Sequence, residues 1–254
     1  MKIRILGSGY GECKIKKQTS KDFRRRGGVL IDEKILIDAP ADLHENVISL
    51  GFSDAFDEVY DVIISHSHSG HFSVETVMRL ARGRKIRVYA SDYTLSLLPD
   101  VYEIEKIPIL PFCPVEIGEY KLTALPANHE TDAPDELCYN FIISRDKSLL
   151  YALDTGFLSY ATFRALENIK IDAIIGDCVL EARGACRECI RHGNLDSARA
   201  IRDILISAGT CSENVKYILS HIPTDKKRGI HDELSELALP LGFSVAYDGY
   251  FCTI

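Results

Sequence analysis
The chain has 254 residues, 46% of them hydrophobic and 26% charged, the balance of a soluble globular protein long enough to bury a sizeable core. Its formal net charge of −7 argues against nucleic acid as a partner, which would call for a dominant basic face. No apolar run approaches the roughly 18 residues needed to span a bilayer, and residues 1–7 read as a strand rather than a signal peptide, so the expectation is a cytoplasmic protein with no membrane partner.

Short β-rich runs alternate with amphipathic stretches, and no linker or repeat divides them, which points to one domain over 1–254. Strands are expected at 3–6, 29–31, 35–37, 59–64, 87–90, 120–125, 138–143, 149–153, 173–176, 215–219 and 243–248. Helical spacing of apolar residues marks 41–50, 74–81, 160–166, 197–207 and 232–237, with Asp196 or Ser197 as the cap of the fourth. Hairpin-like pairs early in the chain, with helices interspersed later, fit an α/β protein. Two mixed sheets packed together with helices outside, or a single α/β sandwich, would satisfy the pattern.

Residues 7–28 are too polar and irregular for a buried element and are expected as one long loop. Between Lys14 and Arg26 this segment carries seven basic residues against one acid, Asp22. It is either a solvated loop or a positively charged lip for an anionic substrate.

The chemistry concentrates at Ser65-His66-Ser67-His68-Ser69-Gly70-His71-Phe72, directly after the apolar run Val62-Ile63-Ile64. On an extended backbone His66 and His68 share a face, and His71 arrives where the pattern turns helical. Neutral imidazole is the commonest protein ligand for zinc and similar ions. Other candidate ligands also stand at strand ends: Ala127-Asn128-His129, Leu153-Asp154-Thr155-Gly156 and Leu219-Ser220-His221. Gly156 would permit a sharp turn leaving the Asp154 carboxylate exposed at its tip. Asp38 and Ser65 are either hydrogen-bond partners of metal-bound histidines or a turn cap and a strand-end polar residue. Eight cysteines are expected as reduced thiols; Cys186 and Cys189 form a lone CxxC open to a metal, a redox pair or ordinary thiols. His44 and His231 have no assigned role and are expected at the surface.

This order of motifs resembles the metallo-β-lactamase fold superfamily of hydrolases, with its H-x-H-x-D-H signature, a later His, a bridging Asp and a last His. Within it the chain most resembles the branch of the cyclic-phosphate phosphodiesterase of phosphonate breakdown. The likeness runs nearly end to end: Leu6-Gly7-Ser8-Gly9, Arg24-Arg25-Arg26, Leu36-Ile37-Asp38, 149–156, His192-Gly193-Asn194-Leu195 and Val245-Ala246-Tyr247-Asp248-Gly249. The resemblance implies a four-layer αββα sandwich of two mixed β-sheets flanked by helices. It implies one or two divalent ions, zinc or manganese with iron also accommodated. His66, His68 and His129 would hold the first, His71 and His221 the second, with Asp154 bridging and taking part in catalysis. His192 would be a catalytic group near the scissile phosphate, and Arg24, Arg25, Arg26, His192 and Asn194 would meet the substrate.

The motif's Asp is replaced here by Gly70. Glycine neither ligates nor accepts a hydrogen bond from water, so the second site is expected to be weakened. The implied activity is a metal-dependent phosphodiesterase acting on a small anionic ester, a cyclic one included, by attack of a metal-bound hydroxide. Competing expectations are a lactone or thioester hydrolase on the same fold, a tRNA-processing nuclease, and a degenerate-site metal- or ligand-binding protein. Pairing with a second copy of the chain is left open.

Overall fold
A computed structural model describes residues 1–11, 13, 20–179, 190–224 and 230–254. The apolar runs of the sequence lack strict polar alternation, and the reason is that most strands are covered on both faces. Strands β1 (Lys2–Gly7), β3 (Gly28–Ile31), β4 (Ile35–Ile37), β5 (Asp61–Ile63), β6 (Ile86–Ala90), β7 (Ile104–Pro108) and β16 (Phe251–Thr253) form one seven-stranded sheet, ordered β16-β1-β3-β4-β5-β6-β7. A second comprises β8 (Val115–Ile117), β9 (Tyr120–Pro126), β10 (Tyr139–Ser144), β11 (Ser148–Ala152), β12 (Ala173–Asp177), β13 (Lys216–Ser220) and β15 (Phe243–Val245). Its order is β15-β13-β12-β11-β10-β9-β8.

Residue alternation assigns the faces. Val29, Ile31, Ile35 and Ile37 join Phe141, Tyr151, Ile175 and Ile218 in one core between the sheets. Leu30, Leu36 and Val62 face the other way, onto helices α1 (Leu43–Ser49), α2 (Val74–Leu80) and α3 (Asp92–Ser96) through Leu43, Val77 and Leu95. On the far side Ile142, Leu150 and Ile174 pack against α4 (Tyr160–Leu166), α5 (Leu195–Ser207) and α6 (Ile230–Ala238). The result is the expected αββα sandwich of two mixed sheets.

Each sheet has three antiparallel and three parallel pairings. The parallel parts, β4 to β7 and β11 to β15, send their carboxyl ends into loops, where sheets of this kind place ligands. The expected strands and helices are present to within a few residues. Not anticipated were β7, β8, β16, α3 and the short pair β2 (Gly9–Tyr10) with β14 (Ile222–Pro223). These elements have two to five residues each, too few for a period to register.

The segment 7–28 departs from the expected polar loop. Its described part is stitched into the body by a buried cation. Arg24 is fully buried: its guanidinium donates to Ser8 Oγ at 2.8 Å, to the Ala246 carbonyl, and towards His231 Nδ1 at 3.0 Å. Asp248 accepts from the Ser8 amide and hydroxyl, the Arg25 amide and Asn46 Nδ2. Gly7 permits this closeness, because a Cβ there would stand 1.7 Å from the Arg26 carbonyl oxygen. Two expectations are thereby corrected. Arg24 cannot serve a substrate lip, since nothing outside the protein reaches it, and His231 is a buried residue at 6% exposure rather than a surface one. His44 is half-buried, edge-on to Phe56 at 5.2 Å.

Facing a guanidinium, His231 Nδ1 must accept, which requires a neutral ring. Burial, then Arg24 and Lys21, bring its pKa down to about 4. A histidine with a depressed folded pKa contributes stability above its unfolded value of about 6.5, and that contribution is lost as pH falls towards 4. His231→Asn retains an acceptor and removes the titration. Urea unfolding should therefore show the unsubstituted protein losing roughly 1–3 kcal/mol more than His231→Asn between pH 7.5 and pH 4.5. Parallel acid limbs would remove His231 from the account.

Candidate metal centre
The loops at the carboxyl ends of the parallel strands bring the candidate ligands together. His66 and His68 follow β5; the chain then turns on itself, with the His71 and Phe72 amides both donating to the His68 carbonyl. Ser73 caps α2 by accepting from the Thr76 amide. His129 follows β9, Asp154 follows β11, and His221 follows β13. Asp154 and His221, together with Asp38 after β4, have left-handed φ values of 45°, 59° and 63°. Such backbone is sparsely populated by non-glycine residues and clusters at functional sites. Asp154 itself, not Gly156, makes the turn, and its carboxylate is buried at 3% exposure rather than displayed at a tip.

Three ring nitrogens meet on one side. His68 Nδ1 lies 3.0 Å from His66 Nε2 and 3.1 Å from His129 Nε2. These spacings approach the ~3.3 Å edge of a tetrahedron with metal–nitrogen bonds of ~2.0–2.1 Å. On the other side His71 Nε2 is 2.5 Å from Asp154 Oδ2, and His221 Nε2 is 3.1 Å from Asp154 Oδ1. Asp154 stands between the two groups, its oxygens 3.9 Å from the nearer nitrogens of both His66 and His129.

The donor set fits divalent ions. Nε2 of His221 and Oδ2 of Asp154 face the cluster and are buried without a hydrogen bond of ordinary geometry, a costly condition that a cation between them would relieve. Asp38 and Ser65 orient the ring nitrogens that face away. Asp38 Oδ2 accepts from His71 Nδ1 at 2.7 Å and from the Tyr151 hydroxyl at 2.6 Å, while Ser65 Oγ lies 3.0 Å from His66 Nδ1. This arrangement leaves Nε2 of each histidine aimed inward. The electrostatics agree. Burial penalises a charge on His71, yet Asp154 and Asp38 outweigh it and push its pKa up to about 10, so a cation is favoured between them. Burial holds His129 down at about 4, neutral and ready to ligate. Burial also opposes the charge of Asp154, but His221 and His71 keep it well below the usual carboxylate range.

His192 joins from the second sheet's side. Its Nδ1 donates to Asp177 Oδ2 at 2.9 Å and lies 3.4 Å from Asp154 Oδ1. Asp177 ends β12 and was not anticipated, although Asp38 and Asp154 already showed the pattern of an apolar strand closing on an aspartate. Gly193 lets the two approach: a Cβ there would sit 2.5 Å from the Asp177 carbonyl oxygen. Tyr10 packs edge-on against both His192 and His221, at 5.3 and 5.1 Å between ring centres.

A cleft of about 380 Å³ opens over this cluster, lined by Tyr10, Arg26 and Gly70 as well as by His68, His71, His129, Asp154 and His221. Of the three adjacent arginines, Arg26 alone lines it, donating to the Ser69 carbonyl at 3.3 Å. Arg25 pairs with Glu45 at 3.4 Å and packs over Phe23. Asn194 is also corrected: it is 1% exposed and caps α5, exchanging hydrogen bonds with Ser197, so it cannot face a substrate. Lys14, Lys16, Lys17 and the Cys186/Cys189 pair lie outside the described residues.

Gly70 has room for a side chain, since a Cβ there meets nothing within 4 Å. Gly70→Asp should therefore be accommodated and should tighten the ion at His71, Asp154 and His221 by about 10–100-fold. Metal content after dialysis checks this; unchanged occupancy would discount Gly70 as the cause of a weak second site.

Comparison with known proteins agrees with this architecture. The chain aligns over its whole length with solved structures of low sequence identity. A metallo-beta-lactamase fold protein, YhfI from Bacillus subtilis, superposes with a TM-score of 0.75 at 18% identity, covering 99% of this chain and 98% of its own. Zn(2+)-bound PqqB from Methylobacterium extorquens gives 0.73 at 14% identity with 100% of both chains covered. The short form of human tRNase Z gives 0.68 at 12% identity, covering 100% of this chain and 99% of its own. No curated relative matches by sequence. Residues 33–206, well over half of the chain, match the family described as the beta-lactamase superfamily domain, and the chain belongs to that family.

Proposed function
We propose that the protein is a metal-dependent hydrolase of small anionic esters, with a phosphodiester, cyclic ones included, as the favoured substrate. One observation carries the reading. Two groups of imidazoles, each complete enough to ligate, share the buried carboxylate of Asp154 beneath a cleft whose rim holds Arg26. A divalent ion held there, zinc or manganese by its ligands, would polarise a phosphoryl oxygen and lower the pKa of water towards about 7.

The chain's own residues account for the rest. Arg26 attracts the anion and can pair with its non-bridging oxygens. Asp177 fixes the proton of His192 on Nδ1, leaving Nε2 to meet a leaving oxygen. Burial and its two carboxylate neighbours oppose one another at His192; the carboxylates win and raise its pKa, which favours the protonated ring. The cleft volume suits a small ester. Among the described residues no helix is long and apolar enough to cross a membrane.

Zinc- or manganese-reconstituted protein assayed against bis-p-nitrophenyl phosphate, a lactone and a thioester tests the proposal. Phosphodiester turnover that vanishes in His68→Ala supports it. Turnover of the lactone or thioester alone would move the reading to another bond, and metal binding without turnover would leave a binding protein.

A further inference from the structure
One buried acid has no part in the site as described. Glu136 lies in the loop between β9 and β10, seven residues after His129, and is 8% exposed. Its carboxylate accepts three hydrogen bonds: Oε1 from the Ser67 amide at 2.8 Å and the Thr94 hydroxyl at 2.6 Å, and Oε2 from the Ser67 hydroxyl at 2.6 Å. Thr94 is itself held by Ser91, whose hydroxyl donates to it at 3.1 Å. A buried carboxylate is retained at low cost only when such donors satisfy it, and here they come from the other half of the molecule. Ser67 follows β5 and Thr94 stands in α3 after β6, two strands of the first sheet, whereas Glu136 lies between two strands of the second.

Ser67 is the residue between His66 and His68. Its amide and hydroxyl are both fixed by one side chain, so the backbone carrying two ligands is tied to the loop carrying the third. Among the described residues, the neighbours of His129 are held as follows: the Asn128 amide donates to Thr155 Oγ1 at 3.1 Å and its side chain to the Phe157 carbonyl, the Ala127 amide donates to the Cys138 carbonyl at 2.9 Å, and Arg191 donates to Glu130 at 2.6 Å. These bonds hold the loop to the second sheet's side; links to the first sheet run through Glu136 and, at the strand root, through Tyr139, whose amide donates to the Ser65 carbonyl at 3.0 Å and whose hydroxyl donates to the Ile109 carbonyl at 3.1 Å.

We propose that Glu136 is a positioning residue: it sets the distance of His129 from His66 and His68, and so the affinity of the three-histidine site for its ion. This rests on the reading of those histidines as ligands. Glu136→Ala releases Ser67 and should weaken zinc binding at that site by about 10–100-fold, the effect of losing a group that orients ligands. It should also shift the visible absorption of the cobalt-substituted protein, which a remote structural defect would leave alone. Glu136→Gln should rescue both. Its carbonyl can keep the Ser67 amide and Thr94, and its amide can donate to Ser67 Oγ, which accepts as readily as it donates.

Competition with a chromophoric chelator on metal-stripped protein gives the affinities. If Glu136→Ala does not fold, Ser67→Ala decides instead, with an expected loss of roughly 3–10-fold from one bond. A folded Glu136→Ala, or in its absence Ser67→Ala, with unchanged zinc affinity and an unchanged cobalt spectrum overturns the proposal. Failure of the unsubstituted protein to take up zinc would instead overturn the ligand reading beneath it.

Discussion

Asp154→Asn should abolish binding of the second, weaker ion and lower phosphodiester turnover by at least about 10²-fold. Asp154 is the one carboxylate within 4 Å of His66, His71, His129, His192 and His221 together among the described residues. Its charge is what allows two cations to sit near one another, and asparagine keeps the shape without the charge. The three-histidine group does not depend on it for nitrogen ligands, so one ion should remain, more weakly held. Elemental analysis alongside the kinetics checks both halves. Two ions retained with normal turnover would show that Asp154 does not bridge.

Arg24→Met should destabilise the fold by about 3–5 kcal/mol, the cost of removing one member of a buried charge network. Burial draws the Arg24 pKa down to about 10, which still leaves it charged at neutral pH. Without that charge Asp248, already pushed up to about 6 by burial, faces only hydrogen-bond donors. Its protonated form then becomes the cheaper one, so the deficit should shrink as pH is lowered from 7.5 to 5. Arg26→Ala, by contrast, should leave the urea midpoint nearly unchanged and raise KM. An Arg24→Met protein of normal stability with a raised KM would return Arg24 to the substrate.

These two arginines also show where the sequence stops being legible. Three adjacent guanidiniums read alike, and only the pairing of Ser8, Ala246, His231 and Asp248 in space separates the buried one from the one at the cleft. The sheets were readable because their strands are covered on both faces, giving apolar runs that end abruptly at polar residues. For the same reason the ligands stood out as strand-end residues. Asp177 obeys that rule at the end of Ala173–Asp177, and a strand drawn one residue longer would have revealed it. Glu136 obeys no local rule. It sits among polar residues of a loop, and its partners are 42 and 69 residues away. Asn194 misled because a helix cap and a substrate contact use the same side chain.

Titration of chelator-stripped protein with zinc asks whether His66, His68, His129 and Asp154 with His71 and His221 enclose divalent ions. Two events are expected, one tight at one ion per chain and one weaker, the first lost in His68→Ala. Zinc uptake that never reaches one ion per chain, or that survives His68→Ala undiminished, would contradict this ligand set.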